Sequence, residues 1–501
     1  MKVREILQLL DLGNSVAEHD AALEKYFIET ETMRMFVKDM KDIVAGDKGT
    51  GKTALYRIII GRYTTMPELK AVEVVSGFNP AGNPVFQQLA QGEVLEEGQY
   101  ITIWKAYVLA LVGNWILTLN DGVFTDSMFE LDKMLREIGL RSADDSPSTI
   151  FPLLMNLFRR LANPRSAELT MSVSPQGLPI VAPKVEFDQA TEPTPQRLIP
   201  HDEALGLLNK VLEEVDLSIW VVLDRLDEAF IGFPKAEILA LRALFRTYLD
   251  LLAFPRIRLK LFVRKDLFRR IVGGGFVNLT HVNARKVEIE WDEEDLRHLL
   301  GKRIESNEDF IAAVGARERP VDELFDVLFP PKVDAAEKKP TTWNWMMARI
   351  RDGNGVRPPR NLIDLANKAR EVQLRKEQRS DRDYVPGEPL IEPESIKRGL
   401  AALSDERVND TLLAEAGDEY AALIERFRGG KAEQNDTTIA AVLGMANGPT
   451  RDAIKGLMEL GFLEHIASSS SYKVPMLYRA GLGITQGKAF DAESATEDDE
   501  S

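Results

Sequence analysis

The sequence contains no cysteine, and only five histidines are scattered among its 501 residues. Disulfide bonds, thiolate catalysis and cysteine-based metal sites are therefore excluded, and a zinc site is not expected. No apolar block follows the first residues, Met1-Lys2-Val3-Arg4-Glu5, so no signal peptide is predicted. The longest apolar stretch, residues 107–119, is too short to span a bilayer. These absences lead us to expect a cytoplasmic chain that makes no membrane contact of its own.

Positive charge is also scarce, because 63 lysines and arginines face 79 aspartates and glutamates, giving a net charge of −16. This balance argues against a protein that coats nucleic acid generally, although a local basic patch stays open. A chain of this length is expected to fold as two to four domains. Its hydrophobic content of 44% and charged content of 28% are globular values.

A glycine-rich segment is the most informative part of the chain. Residues 46–53 read G-D-K-G-T-G-K-T and directly follow a short apolar run, which fits the pattern G-x-x-x-x-G-K-[ST] in a strand–turn–helix context. Backbone amides in such a turn can surround a polyphosphate, Lys52 can reach the β- and γ-phosphates, and the Thr53 hydroxyl can hold Mg²⁺. The helix expected over residues 54–62 directs its positive end at the same anion. The predicted nucleotide-binding residues are Gly46, Asp47, Lys48, Gly49, Thr50, Gly51, Lys52, Thr53 and Ala54.

An acidic segment supplies the second half of this predicted site. The apolar run 217–223 ends at Asp224, and a carboxylate at the end of a buried parallel strand can hold Mg²⁺. Hydrolysis needs another acid to orient the attacking water, and Asp227 and Glu228 follow closely. We favour Glu228 and leave Asp227 open. A solvated acidic turn is the alternative interpretation of the segment.

Arginines near the predicted site are candidates for contact with the γ-phosphate. Arg264 ends the strand expected beside the Asp224 strand, and Arg360 opens a helix after Val356-Arg357-Pro358-Pro359. Arg269 and Arg270 are candidates for an arginine finger that reaches a neighbouring subunit. Ordinary surface solvation is the alternative for each of them.

The order of predicted elements indicates an α/β fold with helices on both faces of a parallel sheet. The predicted strands are 71–75, 217–224, 257–263 and 286–290, with a hairpin over 168–173 and 180–187. The predicted helices are 17–27, 30–40, 103–119, 151–161, 236–252, 292–303, 343–351 and 362–374.

Composition shifts suggest six regions. They are N-terminal helices packing on the ATPase (1–40), a P-loop core (41–291) with an insertion at about 163–200, a helical lid (292–375), a linker (376–392), a C-terminal module (393–485) and an acidic disordered tail (486–501). In the module, helices 419–427, 437–443 and 450–460 precede strands 461–466 and 472–475, an order that resembles a winged helix. Its third helix carries Arg451 and Lys455 but also Asp452 and Glu459, a weak electrostatic footprint for DNA.

Three segments together resemble a known group of proteins. Residues 26–30, 46–54 and 223–228 are similar to those of bacterial P-loop ATPases related to the STAND, NACHT and KAP branches of the AAA+-like ATPases. The resemblance implies a P-loop NTPase fold with a parallel sheet (ASCE/AAA+-like), a helical lid and a C-terminal winged-helix-like domain. Residues 357–360 also resemble the start of the lid helix in origin-initiator-type AAA+ proteins. One departure is that Arg225 and Leu226 displace the usual adjacent acid pair, which would suit slow hydrolysis.

The resemblance implies a Mg²⁺-dependent ATPase that acts as a switch, controlling homo-oligomer assembly or a separately encoded effector, in the setting of bacterial antiviral defence. The alternative is an origin-initiator-like ATPase that binds duplex DNA through residues 445–475 and remodels it or loads onto it. A third reading keeps ATP as a structural ligand without turnover. ATP is preferred over GTP because no guanine-reading N-K-x-D stretch is evident.

Overall fold

The computed structural model describes residues 1–77, 95–120, 123–141, 166–173, 179–186, 201–226, 234–273 and 275–490. Contacts divide the chain into a sheet unit, Glu29–Gly46 with Lys52–Ile289, and a helical unit, Met1–Ile28 with Asp47–Gly51 and Glu290–Ser501. Each unit has its own apolar core. The predicted helix 151–161 and the predicted catalytic acids Asp227 and Glu228 lie outside the described residues.

Strands of the sheet unit form one parallel sheet and one hairpin. They are β1 (Ile43–Gly46), β2 (Val72–Ser76), β3 (Ser166–Val173), β4 (Pro179–Glu186), β5 (Ser218–Leu223), β6 (Ile257–Arg264) and β7 (Lys286–Glu288). The parallel sheet has the order β2-β5-β6-β1-β7, while β3 and β4 pair antiparallel. The predicted α/β fold, its parallel sheet and the hairpin are confirmed, with strand ends moved by one or two residues.

Helices occur in both units. The sheet unit contains α3 (Glu31–Val37), α4 (Lys52–Arg62), α5 (Glu97–Leu119), α6 (Asp126–Glu137), α7 (His201–Glu214), α8 (Pro234–Leu251), α9 (Lys265–Val272) and α10 (Leu279–Ala284). The helical unit contains α1 (Val3–Gln8), α2 (Leu23–Tyr26), α11 (Glu293–Glu305), α12 (Glu308–Val314), α13 (Phe325–Leu328), α14 (Thr342–Arg349), α15 (Pro359–Glu377), α16 (Pro393–Glu406), α17 (Ala414–Glu425), α18 (Asp436–Leu443), α19 (Asn447–Glu459) and α20 (Met476–Arg479).

Helix α5 is the centre of the apolar core of the sheet unit. It begins six residues before the predicted start and is 23 residues long. Its length and composition are those of a membrane-crossing helix, the one such helix among the described residues, yet 78% of its apolar window is buried inside the protein. Asn114 in this helix donates hydrogen bonds to the carbonyls of Ala110 and Leu140 at 2.7 and 2.8 Å. Such packing against protein is that of a core helix.

A group of ions around the buried residues Lys260 and Asp42, the sheet network, lies among strands β1, β6 and β7. Lys260 is fully buried and donates to Asp39 and Asp42 at 2.6 and 2.8 Å. Burial raises the pKa of Asp42, but hydrogen bonds and charge from Arg285 and Lys260 outweigh it, so that the pKa falls below its ordinary value. The network consists of Asp39, Asp42, Arg258, Lys260 and Arg285.

The predicted helix 17–27 is wrong. A single 3₁₀ turn, Ala17–His19, and the one-turn helix α2 stand in its place. Asp20 interrupts the helix because its backbone is extended, and its carboxylate accepts hydrogen bonds from the Tyr26 hydroxyl and from Arg303. Competition between side-chain and backbone bonding of this kind disfavours continued helix at aspartate. The predicted helix 30–40 is confirmed only over α3, which ends at Val37.

The C-terminal module contains the expected helices and hairpin. Helices α17, α18 and α19 precede strands β9 (Glu464–Ile466) and β10 (Ser471–Lys473). Two strands that the sequence did not reveal, β8 (Lys431–Gln434) and β11 (Thr485–Lys488), complete a sheet with the order β11-β8-β10-β9. Both are four residues long and largely polar, so they lack the apolar alternation that identifies a strand. Strand β11 also occupies the start of the tail expected to be disordered.

Candidate nucleotide-binding site

The glycine-rich segment 46–53, called the phosphate loop below, runs from the end of β1 into the first turn of α4. Gly49 and Gly51 have φ values of +78° and +100°, which residues with a side chain rarely adopt. The Lys52 ammonium donates to the carbonyl of Gly46 at 2.9 Å. The predicted order of strand, glycine turn and helix is therefore present, and both internal glycines are required by backbone geometry.

Within the helical unit, the middle of the phosphate loop is held by the start of α15. A Cβ atom on Gly49 would lie 3.1 Å from Cβ of Arg360 and 3.2 Å from Cβ of Pro358. The Arg360 N–H donates to the Gly49 carbonyl at 3.4 Å. The Trp291 indole donates to the Thr50 carbonyl at 2.8 Å. Together these contacts of Pro358, Arg360 and Trp291 hold the loop in this conformation.

Arg360 is the predicted site residue that this contact brings to the loop. Its Nε atom is buried and has no hydrogen-bond partner among the residues that the structure describes. Burial lowers the pKa of Arg360, and the positive charge of Arg407 lowers it further, whereas Asp364 opposes them. Burying a guanidinium whose Nε atom has no hydrogen-bond partner is costly, and an anionic ligand would reduce that cost.

In the sheet unit, Asp224 lies where β5 ends, as the sequence predicts. Its side chain is buried, with 4% of its surface exposed. The Tyr56 hydroxyl lies 2.5 Å from Oγ of Ser76, the last residue of β2. Burial raises the pKa of Tyr56, Ser76 lowers it, and the charge of Asp224 raises it again. Sequence reasoning missed Tyr56 and Ser76, although Ser76 could have been found because parallel strands present their carboxyl ends at one edge.

The residues that follow Asp224 depart from regular structure. Arg225 has a φ of +58°, a left-handed conformation that is uncommon for arginine. Leu226 is buried. Of the two residues that displace the acid pair, Arg225 therefore has a left-handed backbone and Leu226 packs in the interior. The catalytic roles of Asp227 and Glu228 stay predictions.

The other predicted arginines have different surroundings. Arg264 is the last residue of β6, which pairs with β5 as expected, but its guanidinium forms two 3.0 Å hydrogen bonds with Asp266. Arg270 donates to Glu237 at 2.8 Å, and Arg269 is exposed. Contact of Arg264 with a phosphate therefore requires exchange of the Asp266 carboxylate for the ligand. The finger role of Arg269 and Arg270 stays a prediction.

Asp352 is a carboxylate of the helical unit whose pKa responds to the loop residue Asp47. Asp352 accepts hydrogen bonds from the backbone N–H groups of Asn354 and Val356 at 2.9 and 3.0 Å. Burial raises the pKa of Asp352 to about 6, with a further increase from the charge of Asp47 and an opposing effect from those two N–H groups. Asp47 is a loop residue, so Asp352 senses charge at the loop. Nothing in the sequence pattern identified Asp352.

Metal ligands are few at this site. Among the described residues, no group of three or more histidine, aspartate or glutamate side chains could hold a metal. Mg²⁺ commonly keeps several waters and takes one or two protein oxygens together with phosphate oxygens. The Thr53 hydroxyl and the Asp224 carboxylate supply hard oxygen donors of that kind, so the donor set fits Mg²⁺ bound with a nucleotide.

No protein-family model and no curated protein matches the chain. Among solved structures, the chain is similar to the ORC1 protein of Aeropyrum pernix in complex with DNA, with 12% identity, 93% of this chain and 96% of that chain covered, and a TM-score of 0.37. The chain is also similar to a Walker-type ATPase of Pyrococcus abyssi, with 10% identity and a TM-score of 0.40. The match covers 95% of this chain and 100% of that chain. A third similar structure is the ORC2 protein of Aeropyrum pernix, solved as ADPNP–ADP complexes, with 12% identity and a TM-score of 0.37. The match covers 93% of this chain and 91% of that chain. Because these TM-scores are low, the function proposed next depends on the chain's own residues.

Proposed function

We propose that the protein is a Mg²⁺-dependent ATPase of the AAA+-related P-loop grouping that works as a switch. The observation that carries the proposal is the phosphate loop itself, with its two left-handed glycines and with Arg360 packed against Gly49. Fixed amides in a glycine turn are a cradle for phosphate oxygens. The positive end of α4 adds to the attraction for an anion.

Each residue has a role in this proposal. Lys52 exchanges its hydrogen bond with Gly46 for phosphate oxygens, and Arg360 contacts the phosphates from the start of α15. Thr53 and Asp224 hold Mg²⁺, which when bound neutralises charge that develops on the transferring phosphoryl group. Glu228, or Asp227 close to it, orients the attacking water.

The proposal is tested by ATP binding and phosphate release in the wild type and in Lys52→Ala. We expect Lys52→Ala to lose ATP binding at least tenfold, because a charge-assisted contact with phosphate contributes about 1.5–3 kcal/mol. Lys70→Ala, which removes an exposed lysine at the end of the same β1–β2 connection, is the matched control. A wild type that binds no ATP, or a Lys52→Ala variant that binds it normally, would refute the proposal.

Turnover separates the two acids. Glu228→Gln should keep ATP binding and lose hydrolysis, whereas Asp227→Asn should do so only if Asp227 is the water-orienting residue. Normal hydrolysis by Glu228→Gln would reject our assignment. Tight ATP binding without turnover in the wild type would favour the structural-ligand reading.

The switch reading places the ATPase in the cytoplasm, where ATP controls assembly of the chain into homo-oligomers or its hold on a separate effector, in antiviral defence. A nucleotide shifts such an equilibrium only if it binds the two states with different affinity. Light scattering after size exclusion, with ATP, ADP or no nucleotide, measures the response. An ATP-dependent increase in mass without DNA favours this reading, and identical masses in all three conditions argue against it.

A second candidate function is an origin-initiator-like ATPase that binds duplex DNA through residues 445–475. Arg451 and Lys455 are both exposed on α19, the third helix of the winged-helix-like module, where such folds commonly contact the major groove. Exposed Asp452 on the same helix weakens the positive charge. Binding that falls steeply with salt and turnover stimulated by DNA would favour this function. Salt-independent or absent DNA binding would reject it.

A further inference from the structure

A second group of ions, the helix network, connects α15 with the end of α16. The network consists of Arg360, Asp364, Lys368, Glu406 and Arg407. All five residues belong to the helical unit. Arg407 follows α16 and begins a π-helical segment, Arg407–Leu413. Such segments are rare in proteins and frequently occur at functional sites.

Arg407 is the centre of this network. It is 7% exposed and donates hydrogen bonds to Asp364, to the Asn361 side chain at 2.7 Å and to Glu406 at 2.9 Å. Asn361 is itself fixed, because its amide donates to the carbonyl of Ile350 at 2.8 Å. The Arg407 side chain is therefore held by three side-chain acceptors.

Asp364 is the carboxylate for which two arginines are placed to compete. It lies four residues after Arg360 on α15, so the two side chains occupy neighbouring positions on the helix surface. In this structure, Asp364 pairs with Arg407, and Arg360 forms no ion pair among the described residues. The Arg360 backbone and side-chain stem meanwhile pack on Gly49 of the phosphate loop.

We propose that Arg407 is a positioning residue that holds Asp364 and thereby keeps the Arg360 guanidinium available for the phosphates of a bound nucleotide. Without Arg407, Asp364 pairs with Arg360 on the surface of α15, and the phosphate must displace that carboxylate in order to bind. The inference rests on the function proposed above, since it gives Arg360 a phosphate ligand. It assigns no chemical step to Arg407.

The test measures equilibrium affinity for ATP and for ADP in the wild type, Arg407→Gln, Asp364→Asn and the Arg407→Gln/Asp364→Asn double variant. We expect Arg407→Gln to weaken ATP binding about 10-fold or more, since a charge-assisted contact is lost to an internal competitor, and to weaken ADP binding less. The double variant should recover ATP affinity to within about threefold of the wild type, because Asp364 is gone and the remaining carboxylates, Glu18 and Glu406, attract Arg360 less strongly. The matched control is Lys376→Gln, which changes a residue of α15 and breaks its partly exposed ion pair with Glu392, the residue before α16. This variant should bind ATP as the wild type does.

Several outcomes would overturn the inference. One is an ATP affinity that is unchanged in Arg407→Gln. Another is a double variant that binds ATP no better than Arg407→Gln does, because a purely structural role of Arg407 predicts no rescue. If Arg407→Gln fails to fold, Asp364→Asn alone decides, since unchanged or tighter ATP binding supports the inference and a tenfold loss contradicts it. A wild type that binds no nucleotide would instead refute the proposed function, and this inference with it.

Discussion

The sheet network and the helix network are built from the same kinds of side chain. They differ in whether every cation forms an ion pair with a carboxylate. Each cation of the sheet network, Arg258, Lys260 or Arg285, donates to Asp39 or Asp42. In the helix network, Lys368 and Arg407 form ion pairs with carboxylates, whereas Arg360 forms none among the described residues and is only attracted by the charges of Asp364, Glu18 and Glu406. Removing one member of a fully paired buried group is costly, whereas a buried guanidinium whose Nε atom has no hydrogen-bond partner, next to a glycine-rich loop, fits a site that an anion completes.

Lys260→Met should have the largest effect on the free energy of unfolding. The substitution leaves the buried Asp42 carboxylate with one cation fewer, and breaking a buried pair costs about 3–5 kcal/mol. Urea unfolding measures the change, with exposed Lys38→Met as control. A loss below about 1 kcal/mol would mean that matching in the sheet network matters little to stability.

Asp352→Asn tests a carboxylate whose pKa is raised mainly by burial and further by the charge of Asp47. The folded-state pKa of Asp352, about 6, lies above its ordinary value of 3.8, so the folded protein takes up this proton more readily than the unfolded chain. The proton on Asp352 therefore contributes to the free energy of unfolding. This contribution is complete below about pH 4 and is lost as the pH rises through 6. At pH 7, we therefore expect Asp352→Asn to be more stable than the wild type by about 1–2 kcal/mol.

The measurement is urea unfolding at several pH values. The control is Asp381→Asn, a substitution of an exposed aspartate. The advantage of Asp352→Asn should shrink towards zero as the pH falls from 7 to 4. An advantage that is constant with pH would show that the ionisation of Asp352 does not oppose folding.

Arg360→Gln should change stability least, by less than about 1 kcal/mol, because no ion pair is lost and only the packing of the side-chain stem changes. The same variant should weaken ATP binding about tenfold. Urea unfolding and ATP titration of one protein preparation measure both effects. A large loss of stability with normal ATP affinity would show that Arg360 has a structural role, like the paired cations of the sheet network. The contrast between the two networks would then be refuted.

Much of the parallel sheet and of the phosphate loop could be predicted because their signals are local. The strand β5 is a continuous apolar run with an acid after it, and the phosphate loop carries its glycines, Lys52 and Thr53 within eight residues. Periodicity and turn residues are enough to place such elements. The predicted positions of Asp224 after β5 and of Arg264 at the end of the neighbouring β6 followed from the same local reasoning.

The rest depended on contacts between distant parts of the chain. The packing of Arg360 on Gly49, the ion pair of Arg407 with Asp364, and the effect of the Asp47 charge on the pKa of Asp352 join residues that no pattern connects. The helix predicted over 17–27 failed for the same reason, because Arg303 and Tyr26 fix the carboxylate of Asp20.

Helix α1 has a consequence for the timing of synthesis. Ile6 and Leu7 in this helix are fully buried in the core of the helical unit, and the Val3 N–H donates to the Arg382 carbonyl at 2.9 Å. Apart from Asp47–Gly51, the rest of that unit begins at Glu290. A ribosome therefore needs on the order of tens of seconds, after making the first 28 residues, to reach the segments that cover them. During that interval the apolar face of α1 lacks its native cover, and a nascent chain of this protein is expected to depend on a chaperone until its second half emerges.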